Sequence, residues 1–190
     1  MAYIDKYGVE YSDDKKTIVL CPTELTGSYT IMEGVERIDS MAFAGSNLQT
    51  IIIPSSVRII GDLAFADNKF LSEIIIPEGV VRIGHTAFYC CESLRLVHIS
   101  SSVTEIGNCV FNSCYQLKAI NVDVSNANYV SVDGILFNKN KTKLILCPPM
   151  CISTSYVVPP HIEEIETAAF WGCTKLKKIK LPNSVKKYRQ

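Results

Sequence analysis

The chain has no excess of charge of either sign: nineteen Lys and Arg balance nineteen Asp and Glu. A neutral chain has no general attraction for nucleic acid or for an anionic membrane, so neither is expected as a partner. It also lacks an apolar run of transmembrane length, about eighteen residues. The opening residues Met1-Ala2-Tyr3-Ile4-Asp5-Lys6 turn polar by the fifth position. They lack the basic-then-apolar order of a secretion signal. The expectation is a cytosolic protein or a chain that starts after a removed leader, and localisation stays open between them. Glycines occur singly at turn positions, so no phosphate-cradling loop is present. Disorder is excluded by a hydrophobic content of 47%, enough to build a core.

What is present is a period. Phe43, Phe65, Phe88, Phe111 and Phe170 are spaced by 22, 23, 23 and 59 residues. The same beat runs through Val35, Val57, Val80, Val103, Ile162 and Val185, through Ile38, Ile60, Ile83, Ile106 and Ile165, and through Leu48, Leu71, Leu94, Leu117 and Leu176. A period of this length marks an array of stacked supersecondary units.

One rung reads Leu71-x-x-Ile74-x-Ile76-Pro77-x-x-Val80-x-x-Ile83-Gly84-x-x-Ala87-Phe88-x-x-Cys91-x-x-Leu94. Leu-x-x-Ile-x-Ile becomes apolar with period two, as a short strand with one buried face does. Pro54, Pro77, Pro159 and Pro182 end that strand and turn the chain. Val-x-x-Ile-Gly is a second extended piece, and Gly61, Gly84 and Gly107 are expected in a backbone shape closed to other residues. The three-residue spacing of Ala-Phe-x-x-Cys-x-x-Leu predicts a helical or 3₁₀ turn. Ala42, Ala64, Ala87 and Ala169 let neighbouring coils approach, whereas Val110 in that column predicts a slight spread. No rung can bury its own apolar edge; stacking at about the strand spacing of 4.8 Å would bury a continuous core with a Phe spine.

The beat lapses between Leu117 and Tyr156. There, two apolar runs, Tyr129–Phe137 and Leu144–Cys147, flank the polar tip Asn138-Lys139-Asn140-Lys141-Thr142, the pattern of a β-hairpin. The same piece stands at Tyr3–Pro22: Tyr3/Tyr129, Gly8/Gly134, Tyr11/Phe137 and Cys21/Cys147 are all 126 residues apart. The expected layout is one domain over 1–190: an N-terminal hairpin or cap unit at 3–28, regular repeats at 29–122, a hairpin-bearing insert at 123–155, regular repeats at 156–185 and a basic tail at 186–190. The last rung stops inside a repeat and is expected to be uncapped, which leaves self-association through it open.

The rung Ile-x-Ile-Pro-x-x-Val-x-x-Ile-Gly-x-x-Ala-Phe-x-x-Cys-x-x-Leu and the hairpin unit Asp133-Gly134-Ile135-Leu136-Phe137…Leu144-Ile145…Pro148 resemble the BspA-type leucine-rich repeat family, over about residues 3 to 185. The resemblance implies a leucine-rich-repeat solenoid. Short parallel β-strands would stack into a curved sheet, with short turns, 3₁₀ or helical pieces on the other side and two β-hairpin insert units. Similar proteins are often surface-exposed, and some bind host matrix proteins. This sequence departs from the pattern at Ser100, which replaces the strand-ending Pro, and between Phe43 and Leu48, where the rung is one residue short.

The eight cysteines then sort themselves. Cys91, Cys114 and Cys173 share a repeat column with Asn68, and Cys21 and Cys147 share another; this is a packing role. Cys90, Cys109 and Cys151 are irregular. None of the spacings matches a zinc site, so no metal and no cofactor is expected. A Cys147–Cys151 disulfide is an open alternative in an oxidising compartment. His85, His98 and His161 fall at different phases of the repeat and read as exposed surface residues, so no catalytic residue is assigned and no enzyme is expected. Asn140-Lys141-Thr142 fits a glycosylation sequon at the hairpin tip. Lys175, Lys177, Lys178, Lys180, Lys186, Lys187 and Arg189 make the C-terminal end basic, either as a solvated end or as a dock for an anionic partner.

Alternation in the strands sends the residues between the core positions outward. They form two columns, Thr50, Glu73, Leu96, Ala119 and Lys178, and Ile52, Ile75, His98, Asn121 and Lys180. These columns vary where the core does not, and Ile52, Ile75 and Leu96 form an apolar patch of the kind that marks partner sites. The sequence therefore predicts a non-catalytic protein–protein interaction module, adhesin-like through its resemblance, that binds a protein partner of unknown identity through this sheet face. The alternative is a structural, self-assembling array without a dedicated ligand.

Overall fold

The structure, a computed structural model, describes residues 2–152 and 154–188. The tail residues Arg189 and Gln190 lie outside the described residues. The chain opens with an antiparallel meander, β1 (Tyr3–Ile4), β2 (Glu10–Tyr11) and β3 (Thr17–Leu20), and then coils. Each coil supplies a longer strand, a two-residue strand and a turn. The first coil has β4 (Thr26–Thr30) and β5 (Arg37–Ile38), the second β6 (Asn47–Ile52) and β7 (Ile59–Ile60). The third has β8 (Glu73–Ile76) and β9 (Arg82–Ile83), the fourth β10 (Leu96–Ile99) and β11 (Glu105–Ile106). A fifth coil starts at β12 (Ala119–Val122) and gives way to a second meander, β13 (Tyr129–Val132), β14 (Ile135–Asn138) and β15 (Lys143–Leu146). Two more coils follow, with β16 (Ser155–Val157) and β17 (Glu164–Ile165), then β18 (Lys178–Lys180) and β19 (Lys187–Tyr188).

Neighbouring coils pair in parallel. The first meander and the two-residue strands form one sheet in the order β1-β2-β3-β5-β7-β9-β11, and the longer strands line the opposite side as β4-β6 and β8-β10-β12. The second meander starts new sheets, β13-β14-β15-β17-β19 and β16-β18. Both hairpin units are thus three-stranded meanders, and both carry a register shift at the corresponding place, Glu10/Tyr11 and Leu136/Phe137.

The rings of Phe43, Phe65, Phe88 and Phe111 stack with centroids 5.2, 5.1 and 5.4 Å apart and planes within 16°. The turn that carries them is itself a ladder: Phe43 N donates to Ala64 O at 2.8 Å, Phe65 N to Ala87 O at 2.7 Å and Phe88 N to Val110 O at 2.9 Å. The spread expected at Val110 amounts to a few tenths of an ångström. These turns are not helical; among the described residues every regular element is a strand. Two left-handed columns explain why. Met41, Leu63, Thr86, Cys109 and Ala168, two residues before each Phe, have φ of 50° to 60°. Gly45, Asp67, Cys90, Ser113 and Gly172, two residues after it, have φ of 56° to 79°. Left-handed residues break a right-handed helix and turn alternate N–H groups toward the next coil.

The same columns absorb Cys90 and Cys109, which the spacing left irregular. Gly61, Gly84 and Gly107 need a different account from the one expected, because their φ values are not positive. A Cβ at Gly61, Gly84 or Gly107 would sit 2.6 Å from the backbone N of Ser40, Asp62 or His85 in the preceding coil. Glycine is required there by close approach of two backbones.

The core is not continuous. One cluster runs from Val9 to Ile120 and ends on Leu136 and Leu146; a second contains Ile135, Phe137, Leu144, Cys147, Val158, Ile162 and Ile165. Phe170 belongs to the second, half-buried against Tyr156 at 5.9 Å and 57°, rather than extending the spine. That geometry repeats Tyr29 against Phe43, 5.9 Å and 52°. The second meander therefore restarts the array.

Candidate functional site

The outward columns sit on the longer-strand side. Leu96 faces Glu73 and Ala119 in register, and His98 faces Ile75 and Asn121. Their neighbours Ile74, Ile76, Val97, Ile99 and Ile120 point inward and are buried, so alternation fixes which side chains reach solvent. Glu73, Ile75 and Asn121 are exposed, while Leu96, His98 and Ala119 are half-buried between the strands. Glu73 Oε1 lies 3.3 Å from His98 Nε2, tying the two columns together.

Thr50 and Ile52 are also exposed but stand on a neighbouring segment: β6 pairs with β4, and the ladder is interrupted between β6 and β8. The interruption coincides with the change of turn length from the short rung after Phe43 to the full rung after Phe65. Here Gln49–Ile53, Ser72, Glu73 and Ile75 line a cleft of about 340 Å³. A second cleft of about 360 Å³, lined by Ile75–Glu78, His98–Ser100 and Asn121–Asp123, lies lower on the same face. The two meet at Ile75, 59% exposed, and Ile52 rims the first at 52%. The aliphatic residues of these strands that are below 7% exposed point inward; on the outward side Ile52 and Ile75 are exposed and Leu96 is half-buried.

Ser100 stands where other rungs have Pro, and its N–H donates to Ile76 O at 3.2 Å, a bond Pro would forbid. Its hydroxyl donates to Pro77 O at 2.8 Å. At the foot of this cleft, the hydroxyl and backbone N–H of Ser101 donate to Glu78 Oε1 at 2.8 and 2.9 Å, which holds its carboxyl below the usual carboxylate range. The cleft containing His98 is lined by no cysteine. His85 Nδ1 accepts from Asn108 N at 2.9 Å, a structural bond between coils.

Lys178 and Lys180 are exposed on β18, in register with Ser155 and Val157 of β16. The second meander separates them from the other eight positions, so the columns form an apolar, Glu–His face and a separate basic one. Sequence reasoning missed Ser28 and Thr30 on β4 and Ser155 and Val157 on β16, which extend the two faces. In both rungs Tyr replaces the first inward Ile (Tyr29, Tyr156), so the Leu-x-x-Ile-x-Ile signature is absent. The 127-residue offset between those tyrosines was the available signal.

A third cleft of about 220 Å³ lies at the junction of β11 with the second meander. Its polar groups are mostly engaged with one another. Lys143 pairs with Glu166, and with Glu164 at 3.5 Å, and Tyr129 OH accepts from Ile106 N at 3.0 Å. Asn112 Oδ1 is the exception, buried without a partner among the described residues. No helix of the described residues is long and apolar enough to cross a membrane. Among the same residues no group of three or more His, Cys, Asp or Glu side chains is placed to hold a metal ion.

The column of Asn68, Cys91, Cys114 and Cys173 has a hydrogen-bonding task. Asn68 Nδ2 donates to Phe43 O at 2.7 Å, and Cys91 and Cys114 Sγ donate to Phe65 O and Phe88 O at 3.1 Å. Each serves a buried carbonyl of the preceding coil that a purely apolar residue would leave short of a partner. The BspA-type leucine-rich repeat model matches residues 22–142 and 150–190 in six copies. The chain belongs to the BspA-type leucine-rich repeat family. None of the curated proteins matches it. Among solved structures, this BspA-type array is similar to the pneumococcal vaccine antigen PcpA, with 28% identity and a TM-score of 0.68 over 96% of this chain and 49% of that one. It is also similar to a leucine-rich repeat protein from Eubacterium ventriosum, with 23% identity and a TM-score of 0.72 over 98% of this chain and 61% of that one. The array thus spans about half of the first and three fifths of the second.

Proposed function

We propose that this array is a non-catalytic protein-interaction module that holds its partner on the longer-strand face, around Thr50, Ile52, Glu73, Ile75, Leu96, His98, Ala119 and Asn121. The observation that carries the reading is the exposure of Ile75 where two clefts meet and of Ile52 on the rim of the first. Burying exposed aliphatic groups in a cleft rimmed by a few polar side chains is how interfaces acquire their energetic centre. The Glu73–His98 pair beside them supplies directional polar contacts. Lys178 and Lys180 form a second, basic patch that would favour an acidic stretch of the same partner. Family membership and the likeness to a pneumococcal antigen support an adhesin-like role at a cell surface, with host or matrix proteins as the partner class.

The test is binding of the full chain to immobilised matrix proteins, followed by Ile75→Lys and Ile52→Lys. A tenfold or greater rise in Kd, about 1.4 kcal/mol, is expected for each, with no change in Tm because both side chains are exposed. Binding that survives both substitutions overturns the face assignment.

A further inference from the structure

Seven of the eight cysteines occupy repeat columns that are explained by packing or turn geometry. Cys151 is the eighth, and it stands where the first meander unit carries Leu25. The local backbone is the same in both. Cys21 N donates to Ala42 O at 2.7 Å and Cys147 N to Ala169 O at 2.8 Å. A tight turn then follows in each, closed by Leu25 N donating to Pro22 O at 3.2 Å or by Cys151 N donating to Pro148 O at 3.1 Å. The repeat's own fold thus presents residue 151 to Cys147, and the cysteine there puts two sulfurs 3.3 Å apart. Closing a disulfide of about 2.05 Å needs a relative movement of about 1.3 Å, within reach of side-chain rotation in a turn.

Access and reactivity divide between the two. Cys147 is buried, whereas Cys151 is half-buried and forms part of the wall of a cleft of about 370 Å³ with Val132, Phe137 and Tyr156. Contact with the Cys147 thiol lowers the Cys151 pKa, while contact with Cys151 and Cys173 and burial push Cys147 up. The more accessible sulfur is therefore the better attacker. Cys173 completes a three-thiol cluster but points its Sγ at Cys147 O, 3.5 Å away. By contrast, Cys91 and Cys114 are fully buried and committed to Phe carbonyls.

We propose that Cys147 and Cys151 form a thiol–disulfide modification site whose oxidant is a low-molecular-weight disulfide of the glutathione class. The Cys151 thiolate attacks one sulfur of that disulfide, forming a mixed disulfide and expelling one thiolate. The Cys147 thiolate then attacks Cys151 Sγ, forming the intramolecular bond and expelling the second. Two protein thiols are oxidised and one reagent disulfide is reduced to two thiols, with the two protein protons taken up by the leaving thiolates. The bond staples the end of β15 to the segment leading into β16, within the second core.

The full chain, reduced and then equilibrated in glutathione buffers of increasing oxidation, is quenched in acid, denatured and alkylated. The oxidised form is expected to lose the mass of two hydrogen atoms and to protect two of the eight cysteines, mapped to Cys147 and Cys151. Cys151→Leu, which restores the residue of the first unit, is expected to fold and to leave all seven remaining thiols alkylated. Its Tm should be independent of the buffer, while the wild-type Tm should rise on oxidation. Cys173→Ser should retain the pair. Alkylation of all eight thiols at every ratio, protection of a pair that includes Cys173, or a redox-dependent Tm in Cys151→Leu overturns the proposal.

Discussion

In the first meander unit the hydroxyls of Tyr11 and Tyr29 meet inside the core, and Tyr29 donates onward to Asp5 Oδ2 at 2.7 Å. In the second unit Phe137, Tyr156 and Ser131 take those positions; among the described residues the corresponding network is missing and three thiols cluster instead. The strands, the register shift and the turn after the third strand are the same in both. The stacked backbone is thus held by bonds between coils that do not consult the interior, and each unit is free to fill it differently. The filling has consequences: the first unit adjoins four closely stacked phenylalanines, while the second adjoins one half-buried ring.

That contrast is most directly broken through the rings. Phe88 lies between two stacked neighbours and is fully buried, so Phe88→Ala should cost about 3–5 kcal/mol. Phe170→Ala removes a half-buried ring and should cost about half as much. Equal losses in denaturant titrations would mean that the two cores are one cooperative unit. The connection between them can be probed at Asn126, which is fully buried. Its Nδ2 donates to Ser100 O and Val103 O at 2.9 and 3.0 Å, and its Oδ1 accepts from Asn128 N and Tyr129 N at 2.8 Å each. Asn126→Leu should cost roughly 2–4 kcal/mol by stranding those groups. A second, separate unfolding transition in this variant would show that Asn126 couples the modules; a wild-type melt would show that it does not.

The core columns and the outward face could be read in the sequence because stacking makes each coil bury the same positions. Ile74, Val97 and Ile120 repeat for that reason, and Ile75 and His98 fall between them. Where chemistry substitutes without changing shape, the reading failed. Tyr29 and Tyr156 fill Ile positions, so Ser28, Thr30, Ser155 and Val157 went unseen. Ala-Phe-x-x-Cys has helical spacing, but spacing does not reveal that Leu63 and Asp67 adopt positive φ. Phe170 keeps the residue type of the spine, yet the second meander shifts it into another core. The face residues were legible as outward; that Leu96 and Ala119 are half-buried depends on the cross-strand neighbours of each, which periodicity does not carry.

The smallest effect expected tests the polar side of the comparison. Burial, with the hydrogen bond shared with Tyr11 and the nearby Asp5 carboxylate adding to it, pushes the Tyr29 hydroxyl well above the ordinary tyrosine value, and burial raises Tyr11 as well. A phenol whose pKa is higher folded than unfolded contributes stability that is complete below the unfolded value, about 10, and is lost as pH rises beyond it. Tm should therefore be insensitive to these groups from neutral pH to about 9 and fall above about 10. Tyr29→Phe should cost about 1–2 kcal/mol at neutral pH and flatten the alkaline limb. Tyr156 is pushed up to about 12, mainly by burial, but its unit has Phe137 in place of a second buried phenol. Tyr156→Phe should therefore flatten the limb less. Equal flattening by the two substitutions, measured as Tm between pH 8 and 11 (about one unit either side of the phenol range), would mean that the buried hydroxyl pair adds nothing beyond ordinary desolvation.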